Sequence, residues 1–305
     1  MSGFFLILLV GLAISVRDIY ASRILQSLQF WSVPFWIYAF SFLFVICLNV
    51  RGVKTAFLKS FESGYFKPIL MLNIYSCAAF GGVLFALKWL QPSVLDALAL
   101  TGGPLFALLA RGGSKQAKAL SMAMLGVSGL LVWFYVKRNG APEISDIKTL
   151  LYALGGVILA SAGLTNQNIV VGELLSKGWK HLDIIQMRYI LLIIVSFVGS
   201  LAVDHSTPQV PDLSGMGGFV AMAIFGNLLP LYLINKGVEL IGPLSVAFLM
   251  PVKLLLTFIL EQTDARFPFD SQIFLGVSVI AGLSLWGAVM AHNARKLAEA
   301  FRKAA

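Results

Sequence analysis

Apolar residues in this chain neither alternate nor recur at helical spacing against a polar face. They run on for about the length of a bilayer crossing, and charged side chains fall mostly in the breaks between runs. Ten runs can be marked out, at about residues 3–24, 30–50, 68–90, 92–109 and 117–136, then 149–175, 182–203, 217–235, 243–261 and 272–292. A hydrocarbon core of about 30 Å needs about 20 helical residues to cross it. Backbone groups in lipid must bond within their own segment, so each run predicts a transmembrane helix. Two of the breaks are set by proline, at Gln91-Pro92 and Gly242-Pro243. The apolar start, residues 1–16, lacks the basic leader and small-residue cleavage site of a secretion signal and is taken as part of the first span.

Composition agrees with this pattern. Hydrophobic residues make up 58% and charged residues 12% of the 305, with a mean hydropathy of +0.86, far from the balance of a soluble domain. The net charge of +9 has a topological explanation that needs no nucleic acid partner. With the N-terminus in the cytoplasm, 14 of the 23 basic residues fall on the cytoplasmic side: Arg51, Lys54, Lys59, Lys67, Arg111, Lys115, Lys118, Lys177, Lys180, Lys236, Arg295, Lys296, Arg302 and Lys303. Six fall opposite and three, Arg17, Arg188 and Lys253, lie within spans. Positive loops stay inside, so both termini are expected in the cytoplasm, in a plasma membrane of bacterial type. Cys47 and Cys77 sit in apolar runs with no metal-ligand spacing and are expected to pack.

Ionisable residues inside spans are costly and point to function. Lys253 lies near the middle of the ninth span, two residues beyond Pro251. It either snorkels or joins an ion pair, or it faces a cavity; the last is favoured, with Asp18 across the bundle as a plausible partner. Arg17 and Asp18 are neighbours whose side chains diverge by about 100° on a helix, so each is expected to find a partner elsewhere. Asp96 falls near the start of the fourth span, where the helix dipole favours a carboxylate and Lys88 stands close. Asn166, Gln167 and Asn168 give the sixth span a polar turn; Asn227 and Tyr232 do the same for the eighth. Pro104, after Gly102-Gly103, and Pro251 each free a carbonyl four residues back and are candidate hinges.

A weak internal repeat relates the segment before Pro92, with Pro104 beyond it, to the segment before Pro243, with Pro251 beyond it. Five spans per half is odd, which inverts the second half relative to the first. Expected units are residues 1–140 and 141–305, the second carrying a basic cytoplasmic tail.

On these residues the chain resembles the drug/metabolite transporter superfamily, in its ten-helix EamA-like branch. The likeness is carried by Gly242-Pro243, Ala247, Pro251, Glu261, Pro268, Gly276 and Gly282, and in the first half by Ala21-Ser22-Arg23 and the span from Pro92 to Pro104. Ser15-Val16-Arg17-Asp18 and Ser114 depart from that pattern. Arg188 resembles an arginine common in the family's seventh span, and snorkelling accounts for it equally well. The resemblance implies an all-α fold of two inverted five-helix repeats and a secondary transporter of small organic metabolites, with a site near the midplane; within the spans Arg17, Arg188 and Lys253 outnumber Asp18 and Asp96 by one, which points to an anionic or zwitterionic substrate such as an amino acid or organic acid. Arg17, Asp18, Asp96, Asn166, Asn227, Tyr232 and Lys253 are the candidate substrate-binding or coupling residues.

No nucleophile elbow, metal cluster or phosphate-binding glycine loop is visible, so neither catalysis nor a cofactor is expected. Without an ATPase module, uphill transport would need a coupling proton or a counter-substrate. A cation pathway through Asp18, Asp96 and Glu261, and a non-transporting scaffold or lipid-handling protein using the basic tail, stand as alternatives; a homodimer stays open.

Overall fold

Long apolar runs punctuated by proline and glycine become long helices in the computed structural model, which describes residues 3–24, 30–87, 89–112, 114–139, 147–210, 213–264 and 269–304. Among these residues every regular element is helical. Helix α1 is Gly3–Ile24, α2 Ser32–Leu48 and α3 Val50–Ser60. Helix α4 begins as Phe66–Ser76, passes through a π segment at Cys77–Gly81 and ends as Gly82–Leu87. Next come α5 (Pro92–Arg111), α6 (Lys115–Asn139), α7 (Ile147–Ser176) and α8 (His181–Val203). Helix α9 is Leu213–Ala221, a π segment at Met222–Leu228 and Leu229–Ile241; α10 is Pro243–Leu249, a 3-10 turn at Met250–Val252 and Lys253–Glu261; α11 is Ser271–Ala304.

Nine of these helices are long and apolar enough to cross a membrane, or ten if α2 and α3, bent by 109° at their junction, count as one broken span. The chain is therefore an all-helical integral membrane protein. The bend corrects the expected loop after the second run, because residues 50–60 are helical. Arg51, Lys54 and Lys59 interrupt the apolar run without breaking helical propensity, and Phe57 and Leu58 are exposed beside them. The elbow is Asn49, whose Nδ2 donates to Asp183 Oδ1 at 2.7 Å and ties α2 to the start of α8. The last helix also runs on past the expected end at His292, carrying the basic tail as helix to Ala304.

Packing relates the elements in pairs. Helix α1 lies against α9 as α7 lies against α4, and α5 packs on α7 as α10 packs on α1. The pairs α2–α8, α6–α11 and α5–α10 also meet. Small residues permit the tightest of these approaches. A Cβ built on Gly163 of α7 would stand 2.4 Å from Ala79 N and 2.7 Å from Tyr75 O, and one on Gly82 of α4 would stand 2.5 Å from Gly156 O. Gly102, expected to loosen α5, sits in such a contact, its Cβ position 2.4 Å from Ser161 Oγ, while Thr165 Oγ1 donates to Gly103 O at 3.1 Å. Helix α5 stays helical through Gly102, Gly103 and Pro104. Pro251 does alter its helix, which tightens into the 3-10 turn just before Lys253.

Basic residues from several elements share one end of the bundle. Lys59 Nζ lies over the rings of Tyr65 (4.8 Å) and Trp179 (5.1 Å), Lys236 pairs with Glu239 at 3.0 Å, and Arg295 Nη2 donates to Glu239 O at 3.4 Å.

Because the atoms facing Gly163 are backbone, Gly163→Ala should destabilise the protein by about 1–3 kcal/mol through overpacking. Gly129→Ala in α6, where nothing lies within 4 Å, should be neutral or gain up to about 1 kcal/mol in helix propensity. Thermal unfolding in detergent compares the two.

Candidate functional site

The 3-10 turn at Met250–Val252 delivers Lys253 into the bundle's interior, where it is 3% exposed. Its Nζ donates to Asp18 Oδ2 at 2.7 Å and to Asp96 Oδ1 and Oδ2 at 2.6 and 2.5 Å. One ammonium thus joins α10 to α1 and α5. Asp18 and Asp96 are 2% and 4% exposed, so both carboxylates are shielded from bulk solvent. The pairing of Lys253 with Asp18 is the one anticipated from sequence; Asp96 adds the third helix.

The cluster extends on both sides. Arg17 Nη2 and Nε donate to Asp18 Oδ1 at 2.6 and 2.8 Å, and Nη1 reaches Gly226 O at 3.4 Å. That corrects the expectation that Arg17 and Asp18 do not pair: their Cβ directions diverge, but the arginine stem is long enough to bring the guanidinium back over its neighbour. On the far side, Thr257 Oγ1 donates to Asp96 Oδ2 at 2.7 Å and lies 2.7 Å from Ser15 Oγ. Formal charges cancel within the tetrad, with Arg17 and Lys253 offsetting Asp18 and Asp96. Isolated buried ions cost several kcal/mol each, so mutual pairing is what permits them here.

Asp96 stands past the first turn of α5 and turns to Lys253, not to the helix end. The α5 N-terminus is capped from another helix instead, by Glu261 Oε1 accepting from Ser93 N at 2.9 Å. Lys88, expected near Asp96, lies outside the described residues, as do Arg266 and Pro268.

Beside the tetrad is a cavity with room for water over about 40 Å³, enough for about one molecule. Its walls come from α1 (Ile14, Arg17, Asp18), α4 (Phe80, Val83), α5 (Asp96, Ala99, Leu100), α7 (Leu164, Gln167), α9 (including Gly226, Asn227 and Pro230) and α10 (Met250, Lys253). Counted along the chain, with α2 as the second, these are the first, third, fourth, sixth, eighth and ninth spans. Both π segments contribute to the wall, through Phe80 and through Gly226 and Asn227. Leu100, whose carbonyl loses its amide partner to Pro104, is part of it as well.

Of the polar turn in α7, Gln167 faces the cavity and accepts from Ser76 Oγ at 3.3 Å. Asn166 instead donates to its own helix at Ala162 O, 2.9 Å away, and is not part of the lining. Consecutive helical residues point about 100° apart, and the sequence could not choose among the three. Tyr232 is likewise displaced from the site: its ring meets His181 edge-on at 5.5 Å, near the positive end. Asn227 does line the cavity and donates to Ser41 Oγ at 3.0 Å, linking α9 to α2. Thr257, Ser41 and Ser93 were not singled out beforehand, because a lone hydroxyl in an apolar run is usually a packing residue. Their signal was helical spacing: Thr257 is one turn from both Lys253 and Glu261.

Among the described residues no three His, Cys, Asp or Glu side chains come together as a metal site. No family model matches the chain, and no curated protein matches it. Solved structures do match: one, known only as a crystal structure of a protein, shares the fold with a TM-score of 0.67 at 14% identity, over 95% of this chain and 98% of its own length. That likeness establishes a shared helical architecture along nearly the whole chain.

Removing one partner from a buried ion cluster leaves a charge uncompensated, so Lys253→Met should cost about 3–5 kcal/mol. Adding Asp96→Asn to it should cost less than the sum of the two single changes, a coupling that a double-mutant cycle on detergent unfolding measures. Glu261→Gln keeps the acceptor for Ser93 N and should be mild, whereas Glu261→Leu should cost about 1–3 kcal/mol.

Proposed function

We propose that the chain is a secondary transporter of a small organic metabolite, an amino acid or organic anion, working by alternating access between two inverted five-helix halves. The observation that carries this is the cavity at the meeting of six helices, whose charged wall residues are all locked into one neutral cluster. Ionisable groups inside a membrane mark substrate and ion paths. A protein that only had to fold would gain little from them, since an apolar core of similar volume is often as stable or more so.

Two halves are supported by the exchange symmetry of the packing. Taking 1–140 and 141–305 as repeats, with α2 as the second span, α1–α9 corresponds to α7–α4, and α10–α1 to α5–α7. The π segments of α4 and α9 fall in corresponding third spans, and Pro92 and Pro243 both begin their helices at the first position. The positive end of the bundle is placed in the cytoplasm, with both termini there.

A cavity of water size is too small for such a substrate, which enters only as the tetrad rearranges. A zwitterion fits that exchange well. Its carboxylate replaces an aspartate on Lys253 and its ammonium replaces Lys253 on the aspartate, leaving no charge unpaired. An organic anion takes the first half of the exchange, and a proton or counter-substrate supplies the second. The engagement of both aspartates by Lys253, and of Glu261 by Ser93, favours a carrier over a cation pathway. The four charged side chains on the cavity wall disfavour a scaffold or lipid-handling role.

Counterflow of labelled amino acids and organic acids in proteoliposomes tests this. Saturable counterflow is expected, lost at least tenfold in Lys253→Met and reduced in the milder Thr257→Val, which keeps every charge. Flux that rises linearly without counterflow, or counterflow unchanged in both variants, contradicts it.

A further inference from the structure

With the tetrad closed on itself, one guanidinium deep in the bundle is left without a counter-charge among the described residues. Arg188 of α8 is 0% exposed, and none of Nε, Nη1 and Nη2 has a hydrogen-bond partner. It neither snorkels nor pairs. A guanidinium is always charged in proteins and carries five N–H donors. Leaving it dry and unpaired costs several kcal/mol, so its partner has to come from outside the described residues.

Its surroundings single out one place for that partner. Ile184, one turn before Arg188, belongs to the apolar cluster that holds Ile234 and Val238 of α9; Leu192, one turn after, belongs to the cluster with Tyr38 and Val45 of α2. Arg188 therefore stands where the two clusters meet. On α9, Asn235 is also 0% exposed, and both its Nδ2 and Oδ1 lack partners. His181 Nε2 and Glu239 Oε2, 3.1 Å apart, fix the antiparallel register of α8 and α9. Counting inward from that contact at 1.5 Å per residue, Arg188 lies about 10 Å deep and Asn235 about 6 Å deep. A neutral amide can share a hydrogen bond with a guanidinium but cannot cancel its charge. What is missing between α8 and α9 is negative.

We propose that Arg188, with Asn235 across the α8–α9 interface, forms a binding seat for a small carboxylate anion. This deepens the transporter proposal and rests on it for the opening that admits the ligand. The planar fork of a guanidinium matches the two oxygens of a carboxylate, and the Asn235 amide adds a further donor. Polar contacts also stand between the cavity and the helix that packs on α8: Arg17 meets Gly226, and Asn227 binds Ser41 of α2. The tetrad would then pass the substrate's charge towards a fixed cation on the other side of α9.

Thermal unfolding in an uncharged maltoside detergent, free of phospholipid, tests the seat apart from transport. Acetate, chloride and phosphate are compared at constant ionic strength against HEPES. Acetate at about ten times its dissociation constant should raise the melting temperature by about 2–4 °C, more than chloride or phosphate does. Arg188→Gln should abolish that rise, and its own melting temperature in HEPES should be no lower than wild type, because an unpaired buried charge has been removed. Arg188→Lys, kept as a charged second variant, should show a smaller rise. An acetate rise that persists in Arg188→Gln, no anion response in wild type, or marked destabilisation of Arg188→Gln overturns the seat. Should phosphate alone stabilise, and only through Arg188, the ligand class is overturned as well. Intact counterflow with Arg188→Gln would reject the seat and leave the carrier standing, whereas an Arg188-dependent acetate response without any counterflow would do the reverse.

Discussion

One ammonium group holds three helices together in the middle of this bundle. Lys253 Nζ touches carboxylates from α1 and α5, and all three side chains are buried from bulk solvent. Desolvating those ions is unfavourable, and mutual pairing is what offsets it. Their geometry is therefore tightly bound to the closed arrangement of the helices. A displacement of α10 that pulls Nζ from either aspartate exposes a bare charge, unless something of matching charge replaces it. In the proposed carrier, that coupling between helix position and electrostatic completeness would be the physical basis of gating.

The surrounding sequence is arranged to make this possible. Pro251 tightens α10 just before Lys253 and aims the side chain inward, while Thr257 and Ser15 orient Asp96 from behind. Gly163 and Gly82 bring α4 and α7 within backbone contact, and Gly226 admits the Arg17 stem, whose Cγ lies 2.8 Å from a Cβ built there. Glu261 caps α5 from the end of α10, so the same two helices are joined at the tetrad and again at a helix terminus. A water-sized cavity beside a neutral cluster, walled by six helices, follows from those contacts together.

Much of the fold was legible in the sequence because hydrocarbon thickness sets helix length directly. Runs such as 92–109 and 243–261 could be placed by proline alone. The pairing of Lys253 with Asp18 was legible for a similar reason, since a mid-span charge needs a partner and few candidates exist. What escaped depended on azimuth and reach. Helical periodicity could not say that Gln167 rather than Asn166 faces inward, nor that Arg17 would bend back to its neighbour Asp18. Charges at 51, 54 and 59 concealed a helix lying across the end of α2, because an amphipathic segment of that length reads as a polar loop beside long apolar runs. Arg188 looked like a residue near a membrane end; only packing reveals that it is enclosed and unpaired.

The lysine–aspartate bridges among the described residues are both made by Lys253, which makes that contact accessible to a direct distance measurement. Solid-state NMR on protein in lipid, labelled with 15N at lysine Nζ and 13C at aspartate Cγ, reads the dipolar coupling between the two. A strong coupling corresponding to about 3–4 Å, abolished by Lys253→Met and reduced but retained in Asp18→Asn and in Asp96→Asn, is the expected result. Full-strength coupling in Lys253→Met, or none in wild type, would show that the central ion cluster does not exist.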